Sequence, residues 1–82
     1  MTSRAFHNDQ MGPAAEYFTK LLGYDKILPM NSGVEATETS VKLARRWAYD
    51  VKGVPDNKAN VLIARGAFWG RTITAAGASD DP

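Results

Sequence analysis

The residues that first suggest chemistry form a small polar turn, Asn31-Ser32-Gly33, between a short apolar run and a long amphipathic stretch. The apolar run, residues 26–30, predicts a strand, and residues 34–51 predict a helix. A strand that ends at small residues and continues as a helix leaves backbone N–H groups unpaired at the positive end of the helix dipole. The turn therefore predicts a seat for an anion, and phosphate is the usual occupant.

An ordinary helix start is the alternative interpretation of the same turn. Ser32 and Glu35 have the spacing of a capping box, in which Ser32 caps the helix and the Glu35 carboxylate bonds back to the Ser32 backbone N–H. Such helix starts are commoner than ligand sites. Capping would also turn the Glu35 carboxylate away from a bound phosphate, so the turn alone leaves both interpretations open.

A second candidate stretch is residues 65–72, here called the aromatic loop, which contains Phe68 and Trp69 between two glycines and then Arg71. It follows residues 60–64, an apolar run that predicts another strand. Strand ends in open α/β sheets are places where ligands bind. A flat ring and a guanidinium there indicate a site for an aromatic ligand and a carboxylate. The alternative is that both aromatic side chains simply fill a loop cluster.

The elements that must position these two stretches are predicted to alternate as helix, strand, helix, strand and helix. Apolar residues recur every three or four positions over residues 9–22 and 34–51, which indicates two helices, and a third helix begins after the aromatic loop. Residues 26–30 and 60–64 are almost continuously apolar, which is typical of strands covered on both faces. We therefore predict an α/β fold with a mostly parallel sheet.

In a parallel crossover the two candidate stretches open on the same edge of the sheet. One offers backbone donors at Ser32, Gly33 and Val34, and the other offers the Phe68 ring and the Arg71 guanidinium. A planar aromatic cofactor that carries a phosphate would fit both. A mononucleotide is the competing ligand on physical grounds.

Composition excludes several other classes of protein. Ten Lys and Arg against nine Asp and Glu give a net charge of +1, which does not favour a nucleic-acid partner. Without cysteine there are no disulfides or thiolate metal sites, and the single histidine, His7, has no visible partners for a metal. No apolar run reaches membrane-spanning length, and the first residues lack a secretory signal. We expect a soluble intracellular protein whose compartment, cytoplasm or mitochondrial matrix, is undetermined.

The length of 82 residues allows one small domain with no internal boundary. Two strands do not make a covered parallel sheet by themselves. The sequence also stops soon after the third helix is predicted to begin. We therefore expect residues 1–82 to be a piece of a larger α/β domain.

Three motifs in sequence order carry a resemblance to a known family. They are Met30-Asn-Ser-Gly-Val-Glu-Ala36, Val41-Lys-Leu-Ala-Arg-Arg-Trp47 and Gly66-Ala-Phe-Trp-Gly-Arg-Thr72. In this order and spacing the chain resembles the class III pyridoxal-phosphate aminotransferases of fold type I. The Phe-Trp-Gly-Arg form is most similar to the ornithine aminotransferase group of that class. The resemblance covers residues 2–82 and implies a segment of the large, cofactor-binding domain.

The resemblance implies roles for five residues. Gly33 and Val34, with Ser32 adjacent, would hold the phosphate of pyridoxal 5'-phosphate, Phe68 would stack on its ring, and Arg71 would bind the substrate carboxylate. The implied enzyme is a homodimer with sites at the subunit interface. Its reaction transfers the δ-amino group of ornithine to 2-oxoglutarate, which gives glutamate semialdehyde and glutamate. It has no nucleic-acid or membrane partner.

The resemblance also implies what this segment lacks. The Schiff-base lysine and the aspartate that pairs with the cofactor ring lie beyond Pro82 in the family, so no catalytic residue is expected here and the isolated segment should be inactive. Family members often have glycine at the position of Thr37, a difference expected to alter only a helix face. Two alternatives stay open: another class III aminotransferase, of the acetylornithine or 4-aminobutyrate type, or a phosphate-binding module without catalysis.

Overall fold

A computed structural model describes residues 5–80 and contains three helices in that range. They are α1 (Met11–Leu22), α2 (Gly33–Asp50) and α3 (Ile73–Ala78). The predicted alternation of helix and strand with a parallel sheet is wrong, because no strand is formed anywhere in residues 5–80. The two ends of the family resemblance, residues 2–4 and 81–82, lie outside the described residues.

The two predicted strands, residues 26–30 and 60–64, are irregular segments. A strand requires a ladder of backbone hydrogen bonds to a neighbour, and in the described chain no backbone hydrogen bond joins these two segments. Their side chains also lack the predicted cover, since Leu28 is 69% exposed and Leu62 is 94% exposed. An apolar run signals a tendency to be buried, but it does not specify a pairing partner.

The first helix begins two residues later than the sequence predicts and ends where expected. Pro13 stands in its first turn, where a missing N–H has no intrahelical partner to lose. At the other end Gly23 adopts a left-handed φ of 72° and donates its N–H to the Thr19 carbonyl oxygen at 2.9 Å. Glu16 and Lys20 form an exposed ion pair one turn apart, with 2.6 Å between carboxylate oxygen and ammonium nitrogen.

The second helix spans 18 residues and agrees with the predicted helix to within one residue at each end. Ser32 caps its start, and Val51 follows its end. Arg46 and Asp50 pair on its exposed face. None of the helices in residues 5–80 combines the length and apolar character that crossing a membrane requires.

The packed part of the described chain lies where α2 and α3 meet. Ala75 in α3 is 1% exposed and is the one residue of residues 5–80 that is fully buried. Apart from Ile73, the short helix α3 consists of small residues, so it can lie close to α2. Val34 at the start of α2 and Ala75 both lie within 4 Å of the position of a Cβ built on Gly70. The helix α1 contacts neither of the other two in the described range. The most buried part of the described chain therefore lies beside the two stretches that the sequence singled out.

Candidate functional site

The start of α2 presents backbone donors that the described chain leaves unpaired. Ser32 is extended, with φ −140° and ψ 164°, and its hydroxyl oxygen accepts the Glu35 N–H at 3.4 Å. Its carbonyl oxygen accepts the Ala36 N–H at 3.1 Å. The N–H groups of Gly33 and Val34 have no hydrogen-bond partner within residues 5–80. They lie at the positive end of an 18-residue helix, where an anion is stabilised.

The Glu35 carboxylate stays at the cap without occupying these donors. Its Oε2 accepts a hydrogen bond from the Ser32 hydroxyl at 2.9 Å, in place of the Ser32 backbone N–H that a capping box would use. Capping by the Ser32 side chain is thus present, while the reciprocal half of the capping box is not. Both interpretations of the turn are compatible, because Ser32 caps the helix and the Gly33 and Val34 amides remain available.

The aromatic loop packs directly against this helix start. Gly70 has a φ of 125°, and a Cβ placed on it would lie 2.6 Å from Val34 Cγ2. The Thr37 hydroxyl donates a hydrogen bond to the Trp69 carbonyl oxygen at 3.3 Å. The two candidate stretches therefore do lie together, but the loop contacts the first turns of α2, and no sheet edge is involved.

Phe68 and Arg71 lie side by side on the aromatic loop. The Arg71 guanidinium carbon is 5.9 Å from the centre of the Phe68 ring, within the range of a cation–π contact. Phe68 is 59% exposed, so much of its side chain is accessible from outside the chain. No hydrogen bond joins Phe68 or Arg71 to residues 32–34 in the described chain. The structure brings the loop backbone to the helix start, while the Phe68 and Arg71 side chains contact each other and form no hydrogen bond to residues 32–34 in the described chain.

Two further helix ends hold the loop. Thr72 caps α3 by accepting the Ala75 N–H on its hydroxyl at 3.3 Å. Ser79, just after α3, accepts the Trp69 N–H on its hydroxyl at 2.8 Å. Asp80 donates its N–H to the Ala67 carbonyl oxygen at 3.3 Å, so the loop is tied at both its beginning and its middle.

Several residues that build the site were missed at the level of sequence. Gly70 had a local signal, since a glycine between Trp69 and Arg71 suggests a special backbone conformation. Thr37 was expected to affect only a helix face, yet it reaches the aromatic loop. Ser79 had no sequence signal, because its partner is ten positions away across a turn and a helix.

The described residues contain no cluster of His, Cys, Asp or Glu side chains that could hold a metal ion. What they offer is a pair of helix N–H donors, an exposed aromatic ring and a guanidinium. This set can bind a phosphate, a planar ring and a carboxylate.

Comparison with known proteins places this chain in a class of enzymes. The profile of the aminotransferase class-III family matches residues 1–82. The chain therefore belongs to the class III aminotransferases, and the family resemblance carried by the three sequence motifs is confirmed.

The relatives it matches include ornithine aminotransferases. It is 65% identical over 82 residues to the probable mitochondrial ornithine aminotransferase of Caenorhabditis elegans, covering 100% of this chain and 19% of that protein. It is 57% identical over 81 residues to the ornithine aminotransferase of Bacillus subtilis, covering 99% of this chain and 20% of that protein. The chain thus spans about a fifth of the length of these relatives.

A solved structure with a similar fold is the ornithine aminotransferase of Toxoplasma gondii, crystallised in the presence of oxidised glutathione. The TM-score is 0.85 at 48% identity, over 98% of this chain and 19% of that one. That structure is described as having partial occupancy of pyridoxal phosphate at its active site.

Proposed function

We propose that this chain is the part of an ornithine aminotransferase that seats the phosphate and ring of pyridoxal 5'-phosphate. The parent enzyme transfers the δ-amino group of ornithine to 2-oxoglutarate. The relatives' names support the activity. The observation that carries the site is the contact between Val34, whose N–H is unpaired, and Gly70 in the loop that bears Phe68 and Arg71.

The groups present fit the cofactor and the substrate. The Gly33 and Val34 N–H groups, next to the Ser32 hydroxyl, hold the phosphate at the helix start. The exposed face of Phe68 stacks on the pyridine ring. When bound, pyridoxal phosphate supplies the electron sink that amino-group transfer requires.

Arg71 binds the carboxylate of the amino-acid and oxo-acid substrates. A guanidinium grips a carboxylate through two parallel N–H donors, which fixes orientation as well as position. The guanidinium carbon lies 5.9 Å from the centre of the Phe68 ring, so the two groups are neighbours on one loop. One loop therefore orients both the ring and the molecule that reacts on it.

The covalent chemistry belongs to residues outside this chain. None of the five lysines, Lys20, Lys26, Lys42, Lys52 and Lys58, matches the family's cofactor-binding lysine. Lys20 pairs with Glu16 on the exposed surface of α1, and the Lys52 ammonium lies 5.8 Å from the centre of the Trp47 ring. The 82-residue segment alone is accordingly inactive.

The proposal also covers the domain, the oligomeric state and the cellular location of the parent enzyme. Residues 1–82 belong to the large, cofactor-binding domain of a homodimeric enzyme, without an internal boundary. The enzyme works inside the cell, and the mitochondrial location of the Caenorhabditis elegans relative supports this part of the proposal.

A hybrid enzyme tests the proposed role. These 82 residues replace the matching segment of the Bacillus subtilis ornithine aminotransferase, which supplies the rest of the chain. The hybrid is expected to show the visible absorption of bound pyridoxal phosphate and to transfer the amino group of ornithine. A hybrid that folds and dimerises but holds no cofactor would refute the cofactor-seating role.

The amino donor needs a separate test, because most of the hybrid comes from the Bacillus subtilis enzyme and would impose the substrate specificity of that enzyme. The complete protein expressed from the gene that encodes this segment is assayed with ornithine, acetylornithine and 4-aminobutyrate. We expect the highest kcat/KM with ornithine. A higher kcat/KM with either of the others would replace ornithine as the donor while leaving the class unchanged.

A further inference from the structure

The backbone of Trp69 is held on both sides by hydroxyl groups from different elements. Its N–H donates to Ser79 Oγ at 2.8 Å, and its carbonyl oxygen accepts from Thr37 Oγ1 at 3.3 Å. Ser79 follows α3, whereas Thr37 lies in the second turn of α2. All three residues are half-buried, so water competes less for these bonds than at an exposed loop.

These two hydrogen bonds act on successive peptide planes. Each peptide group is planar, so a bond to one of its atoms fixes the orientation of the whole group. The Trp69 N–H belongs to the plane shared with Phe68, and the Trp69 carbonyl belongs to the plane shared with Gly70. Ser79 therefore sets the backbone beside Phe68, and Thr37 sets the backbone that leads through Gly70 to Arg71.

Ser79 is fully engaged in this role. Its hydroxyl accepts the Trp69 N–H and donates its own proton to the Ala75 carbonyl oxygen at 2.8 Å. Ala75 is the buried residue at the contact of α2 and α3. Through Ser79, the backbone of the aromatic loop is therefore hydrogen-bonded to the most buried residue of the described chain.

Thr37 shares its proton between a local and a distant acceptor. Its hydroxyl donates to the Val34 carbonyl oxygen at 2.9 Å and to the Trp69 carbonyl oxygen at 3.3 Å. The local bond holds the hydroxyl in place, and the distant bond attaches the loop to the helical turn that follows the unpaired N–H groups of Gly33 and Val34. The proposed phosphate seat, which is formed by the Gly33 and Val34 N–H groups, and the residue that holds the aromatic loop, Thr37, thus lie on the same helix, α2.

We propose that Thr37 and Ser79 are positioning residues that hold the Trp69 peptides, so that Phe68 faces the cofactor ring and Arg71 faces the substrate carboxylate. This rests on the proposed function of those two side chains. Because each hydroxyl acts on a different plane, their removal has different consequences. Loss of the Thr37 hydroxyl weakens substrate binding, and loss of the Ser79 hydroxyl weakens cofactor binding.

Thr37→Val in the hybrid enzyme tests the first half, because valine keeps the shape and removes the hydroxyl. We expect KM for 2-oxoglutarate and for ornithine to rise about three- to tenfold with kcat changed less than about twofold, the size expected for one hydrogen bond. Thr37→Ser restores the hydroxyl and should restore KM. The matched control is Thr19→Val, since the Thr19 hydroxyl is also shared between two carbonyl oxygens, both within its own helix.

Ser79→Ala tests the second half. We expect the Kd of pyridoxal phosphate, measured by titration of the cofactor-free hybrid, to rise about three- to tenfold. Ser79→Thr keeps the hydroxyl and should keep the affinity. Ser40→Ala is the control, because the Ser40 hydroxyl bonds only to the Thr37 carbonyl oxygen on the exposed side of α2.

The outcomes separate this inference from the function on which it rests. If Phe68→Leu and Arg71→Lys impair the hybrid while Thr37→Val and Ser79→Ala behave like their controls, the positioning role is refuted and the proposed site stands. If Phe68→Leu and Arg71→Lys have no effect, the proposed site itself is refuted. Should Thr37→Val not fold, Thr37→Ala replaces it, and a KM equal to that of Thr19→Val refutes the role.

Discussion

Two backbone N–H groups, those of Gly33 and Val34, are the donors that the helix start offers to an anion. Backbone donors have a property that side chains lack: their position is set by the helix and does not depend on a rotamer. Ser32 and Glu35 support them indirectly, because each satisfies the other at the cap and leaves the two amides open. At the residue scale the proposed phosphate site therefore depends on the Gly33 and Val34 N–H groups, to which neither the Ser32 nor the Glu35 side chain is hydrogen-bonded.

Gly33→Pro removes one of the two donors without breaking the helix. Proline suits the first helical position, the preceding Ser32 is already extended, and a Cβ at Gly33 meets no atom within 4 Å. We expect the Kd of pyridoxal phosphate for the hybrid enzyme to rise about 10- to 100-fold, the effect of one hydrogen bond to a charged group.

Ile73→Pro is the geometric control for that substitution. Ile73 is likewise the first residue of a helix, follows the extended Thr72 and is 96% exposed. Cofactor affinity should be unchanged in this variant. Equal losses of affinity in the two proline variants would contradict a phosphate contact at Gly33.

Arg71→Lys keeps the positive charge and removes the planar fork. Because lysine offers a point charge where arginine offers two parallel donors, we expect KM for both substrates to rise about tenfold or more, with a smaller change in kcat. Arg45→Lys is the control, since Arg45 also lies over an aromatic ring, that of Tyr49, but far along α2. An unchanged KM in Arg71→Lys would remove Arg71 from the substrate site.

At the scale of elements, the site depends on how closely the aromatic loop approaches α2. Gly70 is the point of closest approach, with a positive φ and Val34 directly beside it. Any side chain there meets both backbone strain and the Val34 methyl group. The glycine therefore determines the distance between the ring-bearing loop and the phosphate seat.

Gly70→Ala should destabilise the hybrid enzyme by about 1–3 kcal/mol, measured as the free energy of unfolding in urea. Gly77→Ala is the matched control, because Gly77 lies inside α3 with no atom near its Cβ position, and alanine favours a helix by about 0.5–1 kcal/mol. Adding Val34→Ala to Gly70→Ala should recover part of the loss. A Gly70→Ala variant as stable as Gly77→Ala would show that the close approach is absent.

Local signals explain which elements could be predicted from sequence. The helices α1 and α2 were predicted to within two residues, because apolar spacing, Ser32 at one start and Gly23 at one end are features of neighbouring residues. The strands at residues 26–30 and 60–64 were wrong, because a strand depends on a partner elsewhere in the chain.

The site divides in the same way. Short sequence motifs gave the predicted binding residues, and the roles of these residues remain predictions. They are Ser32, Gly33, Val34, Phe68 and Arg71. The contacts that bring them together, between Gly70 and Val34 and between Thr37 and Trp69, join residues more than thirty positions apart. No local pattern carries that information, so it required the structure.

At the scale of the whole molecule, the chain exposes most of its apolar side chains. A compact chain of 82 residues has a radius of gyration of about 12 Å, whereas the Cα atoms here give 15.6 Å. Large side chains such as Ile73, Leu62 and Val51 are 96%, 94% and 72% exposed. Apolar burial is the main favourable term in folding, so this chain alone has little to stabilise it.

The isolated 82-residue chain should therefore not unfold cooperatively. We expect a broad, featureless loss of helical circular dichroism on heating, together with binding of a hydrophobic dye and no transaminase activity. The hybrid enzyme, measured alongside, should melt in a sharp transition. A sharp melt of the isolated chain, with a urea dependence typical of a small domain, would contradict this prediction.

The most direct test of the central claim is a crystal structure of the hybrid enzyme with pyridoxal phosphate bound. We expect phosphate oxygens within about 2.7–3.2 Å of the Gly33 and Val34 nitrogens, with the Phe68 ring stacked on the pyridine ring. A phosphate bound elsewhere, with those two nitrogens hydrogen-bonded to protein or solvent and Phe68 turned away from the cofactor, would contradict the account.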